Sequence, residues 1–245
     1  MTLDRRGFVR AGLAALAAGP ANAQPPADAG ARRRGMVETV RGMLQAEPGR
    51  GLPGRLSRAV ADAMLATPRH EFVPTNVQHL AYDNRPLPIG YGQTISQPYI
   101  VALMTELAQV SRGERALEVG TGSGYQAAIL AALGATVHTI EIVPELGRLA
   151  AARLKPQGRS VVTRIGDGYF GWTEAAPFDA ILVTAAASHV PPPLVQQLKP
   201  GGRMVIPVGP PFVVQQLVLV TKDPGRQVRT RQLLPVNFVP LTRRR

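Results

Sequence analysis

Residues able to do chemistry gather at three points of the sequence. Leu117-Glu118-Val119 runs directly into Gly120-Thr121-Gly122-Ser123-Gly124. Glycines between a strand and a helix let the backbone bend sharply and approach a ligand, and the helix N-terminus adds unpaired N–H groups. This is a nucleotide-type turn, but the dinucleotide fingerprint is not met: position 125 is Tyr and the third glycine arrives one residue early. Glu141 follows Gly120 by 21 residues, the reach of one strand–helix–strand unit, and a carboxylate there suits a ribose hydroxyl pair. Glu118 sits at the end of a buried strand, where an acid is costly unless paired or hydrogen-bonded. A sulfonium carrying an amino group would satisfy it, whereas a pyrophosphate would be repelled. These residues therefore favour S-adenosylmethionine over NAD. At the third point, Gly166-Asp167-Gly168, the Asp side chain can accept from an adenine amino group while the glycines allow close approach.

The elements that must position these groups follow from periodicity. Met36 to Leu80 reads as helical, with Val60, Met64 and Leu65 at helix spacing and Thr67-Pro68 ending the run. Pro86, Pro88, Gly90 and Gly92 make Asp83 to Pro98 a loop, regular over a few residues at most. Helix resumes at Tyr99–Val110. Short apolar runs then alternate with helices: Ala116–Val119, Thr136–Ile140, Val161–Ile165, Ala180–Val183 and Met204–Val208, separated by Gln126–Leu133, Glu145–Leu154 and Pro192–Leu198. That alternation predicts a doubly wound α/β fold, a parallel sheet covered on both faces. Val213–Val220 and Arg229–Val236 have no helix between them and predict an antiparallel hairpin at the edge. The expectation is a mostly parallel seven-stranded, Rossmann-like sheet with an N-terminal helical extension.

The 245 residues, 45% hydrophobic and 18% charged, suffice for one sizeable core. With no cysteine, disulfides and zinc–thiolate sites are excluded. His70, His79, His138 and His189 are too widely spaced to suggest a metal site. The net charge of +12 comes from Arg residues that are scattered except for Arg32-Arg33-Arg34 and Arg243-Arg244-Arg245. No aromatics interleave with those runs, so a nucleic-acid surface is not expected. Asp4-Arg5-Arg6-Gly7-Phe8-Val9-Arg10, the apolar Ala11 to Ala18 and the Ala21-Asn22-Ala23 site read as a cleaved twin-arginine export signal, predicting a periplasmic protein, or a cytoplasmic one if the signal is inefficient. Its apolar part falls far short of the roughly 20 residues a membrane span needs. Its removal takes the net charge from +12 to +10. Residues 24–35 read as a disordered lead-in, 36–98 as N-terminal helices with an active-site loop, 99–242 as the catalytic core and 243–245 as a basic tail.

Three further stretches carry a family resemblance. Pro86-Leu87-Pro88-Ile89-Gly90-Tyr91-Gly92-Gln93-Thr94-Ile95-Ser96-Gln97-Pro98 resembles the signature loop of the protein-L-isoaspartate O-methyltransferases. The stretches Ala176 to Ala187 and Leu198 to Gly209, and the ending Phe238-Val239-Pro240-Leu241-Thr242, resemble that family's later motifs. The resemblance covers about residues 36–242. It implies a class I methyltransferase that uses S-adenosylmethionine, without a metal, to methylate isoaspartyl carboxylates of damaged peptides and proteins. The family's active-site serine falls on Ser96. Its cofactor contacts fall on Glu118, Glu141, Asp167, Gly168 and Thr242, beside the turn glycines Gly120, Gly122 and Gly124, with Gln93, Thr94 and Ile95 forming a covering loop. The export signal and the terminal arginines depart from the family pattern. A monomer is expected. A nicotinamide-dependent oxidoreductase and a non-enzymatic basic binding module stay open as alternatives.

Overall fold

The computed structural model describes residues 28–46, 49, 51–155 and 160–243. Residues 1–23, expected to be an export signal, the first residues of the expected lead-in and Arg244-Arg245 lie outside them. Helix α1 spans Ala29–Ala46, so the second half of the segment expected to be disordered is helical. Alanine and arginine are strong helix formers, and α1 buries Met36, Val37, Val40 and Leu44 along one face. Arg32 fixes its first turns by donating to the His79 carbonyl at 2.5 Å and lying 3.8 Å from Asp83. Composition alone could not reveal that docking.

Helix α2 (Arg58–Ala66) starts where the Ser57 hydroxyl accepts from the Val60 N–H, satisfying one of the free donors of the first turn. The helix ends at the expected Thr67-Pro68 stop, and two 3-10 turns follow, Arg69–Phe72 and Thr75–Leu80, where the pattern to Leu80 reads as helical. The Gly/Pro loop holds a short antiparallel hairpin, β1 (Leu87–Gly90) with β2 (Gln93–Ile95), before α3 (Pro98–Ala108).

The main sheet has seven strands: β3 (Arg115–Val119), β4 (Thr136–Glu141), β5 (Val161–Ile165), β6 (Phe178–Val183), β7 (Leu198–Val208), β8 (Gln215–Lys222) and β9 (Val228–Val236). Their spatial order is β5-β4-β3-β6-β7-β8-β9. The first five are mutually parallel and the last two pairings antiparallel, as expected. Strand β7 begins six residues earlier than the sequence suggests, because Leu198 already pairs with Phe178 ahead of a register shift. The intervening Lys199-Pro200-Gly201-Gly202 looks like a turn and masks that start.

Connecting helices are α4 (Tyr125–Ala132), α5 (Pro144–Leu154) and α6 (Pro192–Gln197). Alternation along the strands feeds two cores. Ala116, Ala180 and Leu182 join the N-terminal helices and α4. Leu117, Val119, Ile181 and Val183 face the opposite side, with Leu194 of α6. The chain leaves β3 for β4 and β5, then returns to β6 on the other flank of β3. A crevice therefore opens beyond the carboxyl ends of β3 and β6, the place where such sheets bind ligands.

Candidate active site

The floor of that crevice is the glycine turn. Gly120, Gly122 and Gly124 all have positive φ, at 99°, 52° and 90°. Gly120 and Thr121 both donate to the Ile140 carbonyl, at 2.8 and 3.1 Å. Thr184, just past β6, donates its hydroxyl to the Gly120 carbonyl at 2.6 Å and fills the space a Cβ on Gly120 would need. Gly124 caps α4 in the left-handed region and packs on Leu154 behind the cavity rather than lining it.

Two carboxylates flank the turn. Glu141 receives the Gly122 N–H on one oxygen at 2.7 Å and the Val143 N–H on the other at 2.9 Å. It is thereby held at the rim, and each oxygen retains a lone pair for a hydroxyl. Glu118 is fully buried. Its strand neighbour Thr139 donates to Oε2 at 2.5 Å and accepts from the Thr121 hydroxyl at 2.6 Å. Oε1 is buried with no hydrogen-bond partner among the described residues. Burial pushes the carboxyl up to about 8, with the Glu141 charge adding to the rise; the Thr139 bond and the nearby Ala127 N–H pull it only part of the way back. A buried acceptor left bare costs ~1–3 kcal/mol. A cationic ligand over this floor would relieve it, which makes the residues present a fit for a sulfonium amino acid.

The walls come from distant parts of the chain. Thr94, Ile95 and Ser96 line one side, Gly168 and Ile142 the far end, and Val239 to Thr242 the other side. Gly168 must lack a side chain, since a Cβ there would lie 2.4 Å from Val119 Cγ1. Ser96, Thr94, Thr184 and Val239 also line a second cavity, together with Pro86, Ile100 and Pro235 to Phe238. Ser96 thus stands at the junction of two spaces, with its carbonyl held by Arg69 at 2.7 Å.

Among the sequence-derived candidates, Thr94, Ile95, Ser96, Glu118, Gly120, Gly122, Glu141, Gly168 and Thr242 meet around one cavity. Asp167 is not on its lining. One of its oxygens accepts from the Tyr169 N–H and the other is ion-paired with Arg243 at 2.8 Å. The Arg243 guanidinium also lies 3.8 Å from the centre of the Tyr169 ring and 4.7 Å from that of Phe170. Arg243 is therefore docked beside the site, not part of a free basic tail. His189 is exposed and bonded to the Tyr169 hydroxyl at 3.1 Å. Trp172 packs against His138 with Arg164 over its ring. Among the described residues no cluster of His, Asp and Glu could hold a metal.

Sequence reasoning missed Thr139, Thr184, Arg69 and Arg243. Thr139 was within reach, since it occupies the β4 position that the parallel register sets against Glu118. The other three act across tertiary contacts that leave no local signal.

Comparison with known proteins accords with this geometry. Residues 52–245 match the family described as protein-L-isoaspartate(D-aspartate) O-methyltransferase. A protein-L-isoaspartate O-methyltransferase 2 of Polaromonas sp. is 63% identical over 191 residues, 78% of this chain and 90% of that protein. The like-named protein of Syntrophobacter fumaroxidans is 56% identical over 94% of both chains. Among solved structures, a protein-L-isoaspartate O-methyltransferase of Plasmodium falciparum, in complex with S-adenosyl-L-homocysteine, aligns with a TM-score of 0.73 at 25% identity, covering 86% of this chain and 99% of that one. Neither the oxidoreductase nor the basic binding module finds support among these relatives. With the fold, the glycine turn and the sequence matches in agreement, the chain belongs to the protein-L-isoaspartate(D-aspartate) O-methyltransferase family.

Proposed function

We propose that this enzyme repairs damaged proteins by transferring the methyl group of S-adenosylmethionine to the free carboxylate of L-isoaspartyl residues. One observation carries the reading. A cavity lined by the Glu118 carboxyl and a second cavity share Thr94, Ser96, Thr184 and Val239 in their walls, so a cationic donor and a peptide acceptor can meet beside Ser96. Glu118 would hold the donor's amino group, Glu141 the ribose hydroxyls, and Gly168 the close face of the adenine.

The donor supplies a methyl group on positively charged sulfur. The new bond joins it to a carboxylate oxygen, and the carbon–sulfur electron pair stays with sulfur. That carboxylate is already ionised at neutral pH, so the chain needs no general base. Its work is alignment and exclusion of water, which can supply ~7–11 kcal/mol in favourable cases. The main-chain amide nitrogen next to the methyl ester then attacks its carbonyl and expels methanol, giving a succinimide whose hydrolysis by water returns part of the damage to normal aspartate.

Ser96 orients the acceptor by hydrogen bonding rather than by nucleophilic attack. Losing one such bond costs about 0.5–1.5 kcal/mol, so Ser96→Ala should lower turnover roughly three- to tenfold with donor affinity unchanged. Full turnover in that variant would remove Ser96 from the site. The reading as a whole is tested by methyl transfer to an isoaspartyl peptide beside its aspartyl twin, and preference for the normal form would overturn it.

The enzyme is further proposed to act in the periplasm, supported by the Arg5-Arg6 cluster and the apolar run behind it. Fractionation of cells followed by assay of both compartments decides this; activity confined to the cytoplasm would refute export.

A further inference from the structure

Arg69 is the largest fully buried side chain among the described residues, at 0% exposure. Its donors go to main-chain carbonyls. Nε donates to Ala81 at 2.8 Å, and one terminal nitrogen donates to Ser96 at 2.7 Å and, at a longer 3.5 Å, to Arg85. The other terminal nitrogen has no partner among the described residues. The guanidinium carbon lies 5.0 Å from the centre of the Tyr125 ring. Burial lowers its pKa to about 10, which still leaves a cation at neutral pH.

Such a group is an expensive way to fill space. Buried charges replaced by apolar residues of similar volume often leave a protein as stable or more so. What the arginine supplies that a hydrophobe cannot is a rigid, planar set of donors. The carbonyls it gathers come from Ala81, which caps the second 3-10 turn, from Arg85 just before the signature loop and from Ser96 within it. Tyr125, whose ring it faces, opens α4 behind the glycine turn and lines the donor cavity. One side chain thus ties the loop carrying Ser96 to the helix that bounds the donor.

We infer that Arg69 is a positioning residue for methyl transfer: held against Tyr125, it fixes the Ser96 main chain and so aims the Ser96 hydroxyl at the junction of the two cavities. The inference rests on the methyltransferase reading above.

The test is a double-mutant cycle with Arg69→Met and Ser96→Ala, read as kcat and KM for an isoaspartyl peptide, with donor affinity measured separately by calorimetry. Arg69→Met should lower kcat/KM about three- to tenfold and leave donor affinity within about threefold. If Arg69 works through Ser96, the double variant is no slower than Ser96→Ala alone. Losses that multiply, or a loss of turnover that merely follows the folded fraction, would show a structural role and overturn the inference. Should Arg69→Met not accumulate as folded protein, Arg69→Lys keeps a buried cation without the planar fork, and the same cycle applies to it. Wild-type enzyme inactive on the isoaspartyl peptide would instead refute the methyltransferase reading, so the two failures are distinguishable.

Discussion

Glu118→Gln is expected to weaken S-adenosylmethionine roughly 30- to 150-fold while making the donor-free protein more stable above pH 8. The first effect follows from the bare Oε1. A hydrogen bond between a buried carboxylate and an ammonium contributes ~2–3 kcal/mol, and each 1.36 kcal/mol is a factor of about ten. The second follows from the raised pKa of about 8. The folded protein holds this proton until about pH 8, whereas the unfolded chain releases it near 4.5. Between those values the native state binds more protons, so stability falls as pH rises through the window. The full difference is of order 4–5 kcal/mol. A glutamine still accepts from Thr139 and carries no charge, so it avoids that loss. Thermal melts at pH 5 and pH 8.5 would show the two proteins alike at the lower pH and the variant ahead at the higher. Donor affinity of the wild type should rise from pH 6 to 8 as Glu118 gives up its proton, and the variant should lack that rise. Equal donor affinity in the two proteins would place the amino group elsewhere.

Gly120→Ala should destabilise the protein by about 2–4 kcal/mol and abolish measurable donor binding. Its φ of 99° lies where a side chain is strained, at ~1–3 kcal/mol. The new Cβ would also come within 2.5 Å of Thr184 Oγ1, displacing a hydroxyl that shares its one proton between the Gly120 and Val119 carbonyls, a loss of ~0.5–1.5 kcal/mol. For a domain of this size, the midpoint of thermal unfolding should fall by roughly 4–16 °C. Gly113 separates the two causes, because it has a similar φ of 83° with nothing near its absent Cβ. Gly113→Ala should cost only the backbone strain and leave donor affinity intact. Recovery of part of the lost stability in a Gly120→Ala, Thr184→Ala double variant would confirm the clash.

The parallel strands were legible because a strand buried on both faces must be apolar throughout. β3 and β6, at the centre of the sheet, come nearest to this. The edge strand β5 is half exposed and carries Thr163 and Arg164, and its β-branched residues mark it instead. The sequence places all of β3 to β6 within two residues of their observed limits. The glycine turn and its two acids were legible because backbone bending and charge burial leave local marks. Other features depend on contacts made only after folding. Residues 29–35 look unstructured by composition, yet Arg32 and the buried face of α1 dock them. Asp167 looks like a ligand residue from its flanking glycines, yet Arg243, 76 residues along, takes one of its oxygens. Arg69 gives no signal at all, since its partners are carbonyls that any sequence would supply.

The donor cavity has walls from opposite ends of the catalytic region, the Thr94 loop and the Val239 to Thr242 segment, while its floor belongs to the sheet. A small molecule seated there acts as a removable cross-link. It joins two stretches far apart in sequence, which also share the wall of the second cavity. Filling the cavity therefore ties both flanks to one another and to the sheet beneath them.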